Sequence, residues 1–186
     1  VRGTPVIDNA IAEPFWSGTR VLAIFRDSDI EQEWGSVEVI DEGGADASAI
    51  APRAFDQLRR SIFARDAVVD GIVSDQSVER GVDMDFAADG GRPRTNDLAF
   101  VALDVLRIDG QTLFDIPLLE RKRLLDGLIQ QSPLVRISPW VRPPISPWFR
   151  TWQLAGFKGV MVKAANSRYV PGATTLEWAS FEKSPR

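Results

Sequence analysis

The run from Leu98 to Ile108 constrains this chain more than any other feature. It reads as a long, largely apolar strand closed by the Asp109-Gly110 turn. Pro117 to Gln131 follows as the strongest helix. Leu118, Leu124, Leu125, Leu128 and Ile129 can share its apolar face, with Arg121, Lys122 and Arg123 on or near the other. A strand, a tight turn and a returning amphipathic helix demand a sheet covered by helices.

The rest of the pattern agrees. Arg20 to Arg26 reads as a mostly buried strand after the Ser17-Gly18 turn, with Ser36 to Ile40 as a partner. Asp41 to Ala51 reads as a loop, and Pro52 to Ala64 as a helix with proline in its first turn. Ala67 to Ser74 is a further strand. Residues 75–97 form a polar loop holding a short strand over Val82 to Phe86. Leu134 to Ser138 is a short strand, and Pro139 to Pro147 an extended loop. Ser146-Pro147 starts a helix to Ala155 that Gly156 ends. Gly159 to Ala164 and Leu176 to Phe181 are the last strands. The fold class expected is α+β, with antiparallel sheets packed by helices in one domain over residues 1–186, or two sub-lobes of it.

Composition limits the chemistry. With no cysteine and no histidine, disulfides, thiolates and imidazole bases are excluded. Catalysis would rest on carboxylates, Lys, Arg, Tyr169 or hydroxyls. No apolar run is long enough for a transmembrane helix, and no signal-peptide core precedes the first strand, so a cytoplasmic protein without membrane contact is expected. The formal charge of −4 speaks against a generic nucleic-acid binder. Yet residues 133–186 carry eight Lys or Arg against two Asp or Glu. Such asymmetry marks a phosphate-facing surface, or arginines spread over several solvated faces. There is no glycine-rich dinucleotide loop and no phosphate loop.

Four ordered blocks carry a family resemblance. Glu13-Pro14-Phe15-Trp16-Ser17-Gly18-Thr19-Arg20 resembles the Glu-Pro-Lys-Trp-Asp-Gly-x-Arg stretch of ATP-dependent DNA ligases. Ala99 to Gly110, running into Pro117-Leu118-Leu119-Glu120-Arg121, resembles that family's strand, turn and helix. Gly156 to Lys163 resembles Gly-x-Glu-Gly-Val-Met-Val-Lys, and Ser167 to Gly172 the Ser-x-Tyr-x-Pro-Gly loop after it. Trp178 fits the tryptophan of the last block. The resemblance spans roughly residues 11–183. It implies the ligase adenylation (nucleotidyltransferase) fold of two antiparallel sheets, without the oligonucleotide-binding barrel that follows in the family.

The same resemblance implies lost chemistry. Phe15 stands where the family's lysine attacks ATP, and a phenyl ring has no lone pair to offer phosphorus. Ser17 and Ile72 replace acids, and Lys158 replaces the glutamate that helps hold the metal, reversing its charge. Ser180 and Glu182 fall where two lysines would grip phosphate. Lys183 lies one residue away, which on a strand points it to the other face. The catalytic and metal sites are therefore expected to be absent, and ATP and Mg²⁺ are implied by resemblance alone. Glu13, Arg20, Met161 and Lys163 remain as nucleotide-binding positions by resemblance. Their plainer readings are a solvated acid for Glu13, a surface ion pair for Arg20 and core packing for Met161. Leu103 takes the place of an aromatic adenine-stacking residue, and Phe15 with Trp16 reads either as a platform for a stacked nucleobase or, more often for such a pair, as a filler of the pocket.

Three functions follow from these residues. The first is a non-catalytic ligase-like domain that meets DNA, nucleotide or a DNA-repair protein. The second is an active ligase using Lys158 as a relocated nucleophile, with a metal site rebuilt from Asp70, Asp104 or Glu177. The third is a structural module that forms a homo-oligomer.

Overall fold

The computed structural model describes residues 7–30, 33–76, 98–173 and 177–182. Strands β1 (Ala10–Pro14), β2 (Thr19–Arg26) and β3 (Ser36–Asp41) precede helix α1 (Pro52–Leu58). Then come β4 (Asp66–Ser74), β5 (Ala99–Ile108), β6 (Gln111–Thr112) and α2 (Leu118–Leu128). The chain continues through β7 (Val135–Ile137), α3 (Ser146–Leu154), β8 (Gly159–Ala164) and β9 (Trp178–Glu182). The strand expected over Val82 to Phe86 lies outside the described residues.

The larger sheet runs β3-β2-β4-β5-β6, with β7 beside β5. Its pairs are antiparallel except β5 with β7, which run parallel, a departure from the all-antiparallel expectation. The exception follows from chain direction, because α2 carries the chain back before β7 starts. The smaller sheet runs β1-β8-β9 and is antiparallel throughout. Strand β1 escaped the sequence pattern. Its residues Ala10 to Pro14 are all buried, so no period of two is visible.

One core lies under the larger sheet. Phe25, Val39, Val69, Phe100 and Val105 meet Phe55 and Leu58 of α1 and Leu125 and Leu128 of α2. A second core joins the sheets through Ala12, Trp16, Ile72, Val101, Trp152, Phe157 and Val160. Burying each such aliphatic or aromatic side chain contributes about 1.5–3 kcal/mol.

Helix α2 corrects its expected faces. Leu124 is 43% exposed, whereas Arg121 and Lys122 are completely buried. The cause is the acids waiting on the strands. Arg121 grips Asp104 through two hydrogen bonds of 2.9 and 2.8 Å, and Lys122 reaches Glu13 at 2.8 Å. A buried carboxylate requires a buried cation, and that requirement outweighs the helical hydrophobic pattern. Helices α1 and α2 also end earlier than expected, at Leu58 and Leu128.

Candidate functional site

Between the two sheets lies a cavity of about 170 Å³. The small sheet contributes Glu13, Met161, Lys163 and Trp178 to its wall. The large sheet contributes Arg20, Asp70, Ile72, Leu103 and Asp104, and the β1–β2 connection closes it with Phe15 and Trp16. The four residues assigned to nucleotide by resemblance are therefore brought together: Glu13, Arg20, Met161 and Lys163 all border one space.

Strand register explains why. Glu13 pairs with Met161 and Ile11 with Lys163, so Glu13 and Lys163 are diagonal neighbours on one face of the small sheet. The Glu13 Oε1 atom lies 2.8 Å from Nζ of Lys122 and 3.2 Å from Nζ of Lys163. Its contacts there are ion pairs, with neither ammonium aligned for a hydrogen bond to Oε1. Its Oε2 accepts a 3.1 Å hydrogen bond from the Ser138 hydroxyl, which in turn accepts one of 2.9 Å from Trp16 Nε1. Burial pushes the Glu13 carboxyl up, and the two lysines more than offset it, so it is held below the usual carboxylate range. Burial pulls the Lys122 ammonium down despite Glu13 beside it. Lys122 also donates to the Leu103 carbonyl. Glu13 is thus no solvated surface acid but the centre of a buried ionic knot.

Asp70 and Asp104 face each other across β4 and β5, and both are buried. Two adjacent carboxylates repel, and each has its own arginine. Arg20 binds Asp70 through hydrogen bonds of 3.0 and 2.6 Å, and Arg121 binds Asp104. The Arg20 side chain stays 43% exposed, so its plainer reading as an ion-pair partner describes its contact. Tyr169 stacks on Phe114, and burial followed by the neighbouring Asp70 raises its phenol above the ordinary value.

Phe15 is half-buried, and its amide donates to the Gly159 carbonyl at 2.9 Å. The Ser17 amide donates to Gln76, and its carbonyl accepts from Ser74. Ile72 is buried in the core between the sheets. Lys158 is exposed just before β8 and is not part of the cavity wall. Ser180 is exposed and lies opposite Met161, and Glu182 lies opposite Gly159. Lys163 is the only lysine bordering the cavity among the described residues, and its ammonium lies 4.7 Å from the centroid of the Trp178 ring.

This set does not fit a catalytic metal. The two acids bordering the cavity beside Glu13 are each held by an arginine, and Glu13 itself is held by Lys122 and Lys163. Among the described residues no group of three or more metal-ligating side chains occurs.

Sequence reasoning missed Lys122, Ser138 and the Arg121–Asp104 pair. A signal was present. Asp104 interrupts an otherwise apolar strand, and such an acid needs a cation from a neighbouring element.

Two sheets enclosing a cleft, with these side chains pointing into it, are the architecture of the nucleotidyltransferase domains of DNA ligases. This chain belongs to the ATP-dependent DNA ligase family: the family described as "ATP dependent DNA ligase domain" matches residues 8–181. The DNA repair protein LigD of Mycobacterium tuberculosis, a multifunctional non-homologous end joining protein, is 28% identical over 165 residues. That match covers 88% of this chain and 20% of LigD. A DNA ligase of Pyrobaculum islandicum is 23% identical, over 94% of this chain and 31% of its own length. The chain thus spans a third or less of these relatives. The solved ligase domain of M. tuberculosis LigD has a TM-score of 0.67 at 23% identity, covering 93% of this chain and 53% of that one. A mycobacterial DNA ligase D complexed with ATP and MES gives 0.64 at 22% identity, over 93% and 54% of the two chains.

Proposed function

We propose that residues 1–186 form a single, two-lobed DNA ligase-family domain that has lost nucleotidyl transfer and acts by binding, in the cytoplasm, on DNA or beside a DNA-repair protein. One observation carries this reading. The Phe15 ring borders the cavity at the position where the family resemblance places the attacking amine. The lysine that remains there, Lys163, lies 3.2 Å from the Glu13 carboxylate, which engages its amino group in an ion pair. Without a free amine pair there is no attack on the α-phosphate. Lys158, the candidate for a relocated nucleophile, is exposed outside the cavity wall, which weighs against the active-ligase reading. DNA as the partner is supported by the relatives, which are DNA ligases.

Incubation with α-labelled ATP and Mg²⁺, followed by a denaturing gel, tests the loss of transfer. No labelled protein band is expected. A band that survives denaturation would overturn the reading. A mass that doubles with concentration, with neither DNA nor ATP bound, would favour the oligomerisation module.

A further inference from the structure

The cavity between the sheets holds charged groups that the function above leaves unused. Glu13, Asp70 and Asp104 border it, and two of these acids have a cation each. Arg20 takes both oxygens of Asp70, and Arg121 both oxygens of Asp104. Glu13 is shared instead: Lys122 and Lys163 both contact its Oε1 atom, at 2.8 and 3.2 Å. Two buried ammonium groups thus have one carboxylate between them, and neither is aligned for a hydrogen bond to that oxygen. Lys122 has a second acceptor in the Leu103 carbonyl. Among the described residues Lys163 has only the face of Trp178 besides, although it is 6% exposed.

A buried ammonium with donors to spare is costly. That of Lys163 borders the open space, whereas Lys122 lies behind the wall. Arg20 borders the same space and spends Nε and Nη2 on Asp70, so its Nη1 has no hydrogen bond among the described residues. Asp126 near Lys122 and Glu42 near Arg20 are exposed, and neither borders the cavity. The rest of the wall is mostly apolar. Met161 and Trp178 come from the small sheet, Ile72 and Leu103 from the large one, and Phe15 from the β1–β2 connection. Burial pulls the Lys122 ammonium down, and Lys163 adds to that pull. An anion against Lys163 would oppose it.

We propose that the cavity takes a small aromatic carboxylate, its carboxyl group paired with Lys163 and reached by Arg20, its ring laid between Met161 and Leu103. The proposal goes beyond the function above and does not rest on DNA. One negative charge is what the sharing of Glu13 leaves unmatched. A phosphate brings more charge close to Glu13, Asp70 and Asp104, and the positions where the family resemblance puts phosphate-gripping lysines hold Ser180 and Glu182. An uncharged ring would cover the apolar wall but leave the Lys163 donors unspent.

The test uses the full 186-residue chain at neutral pH, with calorimetry of benzoate, its uncharged analogue benzamide and the cation benzamidine. Benzoate is expected to bind at about 1 mM or tighter. Benzamide should bind about 10-fold more weakly or worse, and benzamidine not at all. In a nitrogen-15 spectrum benzoate should move the indole N–H signals of Trp16 and Trp178, which border the cavity, and leave those of the exposed Trp34 and Trp148 in place. Lys163→Met keeps one lysine for one carboxylate, so it should fold, and it should weaken benzoate about 10- to 100-fold. Lys158→Met, outside the wall, should change nothing. If Lys163→Met does not fold, the ligand series and the indole signals of the natural chain carry the test. No benzoate binding, benzamide as tight as benzoate, shifts confined to Trp34 or Trp148, or unchanged affinity in Lys163→Met each overturns the proposal. AMP that displaces benzoate and binds more tightly overturns it too, by making the cavity a nucleotide site. A labelled band in the ATP assay above, with benzoate still bound through Lys163, would sink the loss of transfer and leave this ligand in place.

Discussion

Glu13 and Lys122 lie 2.8 Å apart, carboxylate to ammonium, with neither side chain reaching solvent. They join β1 of the small sheet to α2 behind the large one, so the pair ties the two layers together. Removing one partner strands a buried charge. Glu13→Gln is expected to destabilise the fold by about 3–5 kcal/mol, because Lys122 and Lys163 lose their shared anion. Adding Lys122→Met should recover part of that loss. Urea unfolding of both variants measures it, and a double variant no more stable than the single one would contradict the coupling.

The same pair sets a pH dependence. The Glu13 carboxyl is held below its ordinary value of 4.5 in the folded protein. A lowered carboxyl pKa adds stability that is fully present above the unfolded value and lost as pH falls through the folded one. The melting temperature should therefore drop steeply once pH goes below 4.5. The Glu13→Gln/Lys122→Met variant should show a shallower drop. Lys122 acts with the opposite sense at the alkaline end. Its folded pKa is lowered, so the cost of keeping it charged is relieved as pH rises towards its ordinary 10.5. A melting curve followed from acid to alkaline pH checks both slopes.

Restoring the missing amine should not restore the reaction. In Phe15→Lys, the new ammonium would sit beside Ser17 and Ile72 instead of acids, with Asp70 and Asp104 still held by arginines. No labelled AMP is expected on this variant above the level of the natural chain. Labelled AMP on it would show that one substitution alone had silenced the site.

Much of this was legible in the sequence. The two strongest elements, β5 and α2, lie where hydrophobic pattern and turn chemistry put them, and the ordered blocks named the family. What stayed hidden has a physical common cause. Strand β1 is buried on both faces, so it has no alternation to read. Arg121 and Lys122 look like solvent-facing cations until Asp104 and Glu13 are known to lie beneath them. Periodicity reports one element at a time, whereas a buried ion pair belongs to two. Glu13, Arg20, Met161 and Lys163 were reached through family resemblance, since a cavity shared by two sheets leaves no pattern in either one.

Gly18 offers a last test, of what holds a motif glycine in place. It has a φ of +151°, and a Cβ there would come within 2.0 Å of the Val73 carbonyl oxygen. That oxygen belongs to β4, which is hydrogen-bonded to β2 directly after the glycine, so it cannot move without breaking the sheet. Gly71 is similarly confined, because its Cβ would meet the Phe100 ring at 2.4 Å. Architecture therefore holds these two glycines in place whether or not a nucleotide is ever bound. Gly18→Ala is expected to cost about 2 kcal/mol or more through strain and displaced backbone. Gly110→Ala, at φ +81° with open space around it, serves as the reference for left-handed strain alone, about 1–2 kcal/mol. Urea midpoints of the two variants decide the matter. If Gly18→Ala proves no worse than Gly110→Ala, packing does not explain the retained glycine, and a bound ligand would have to.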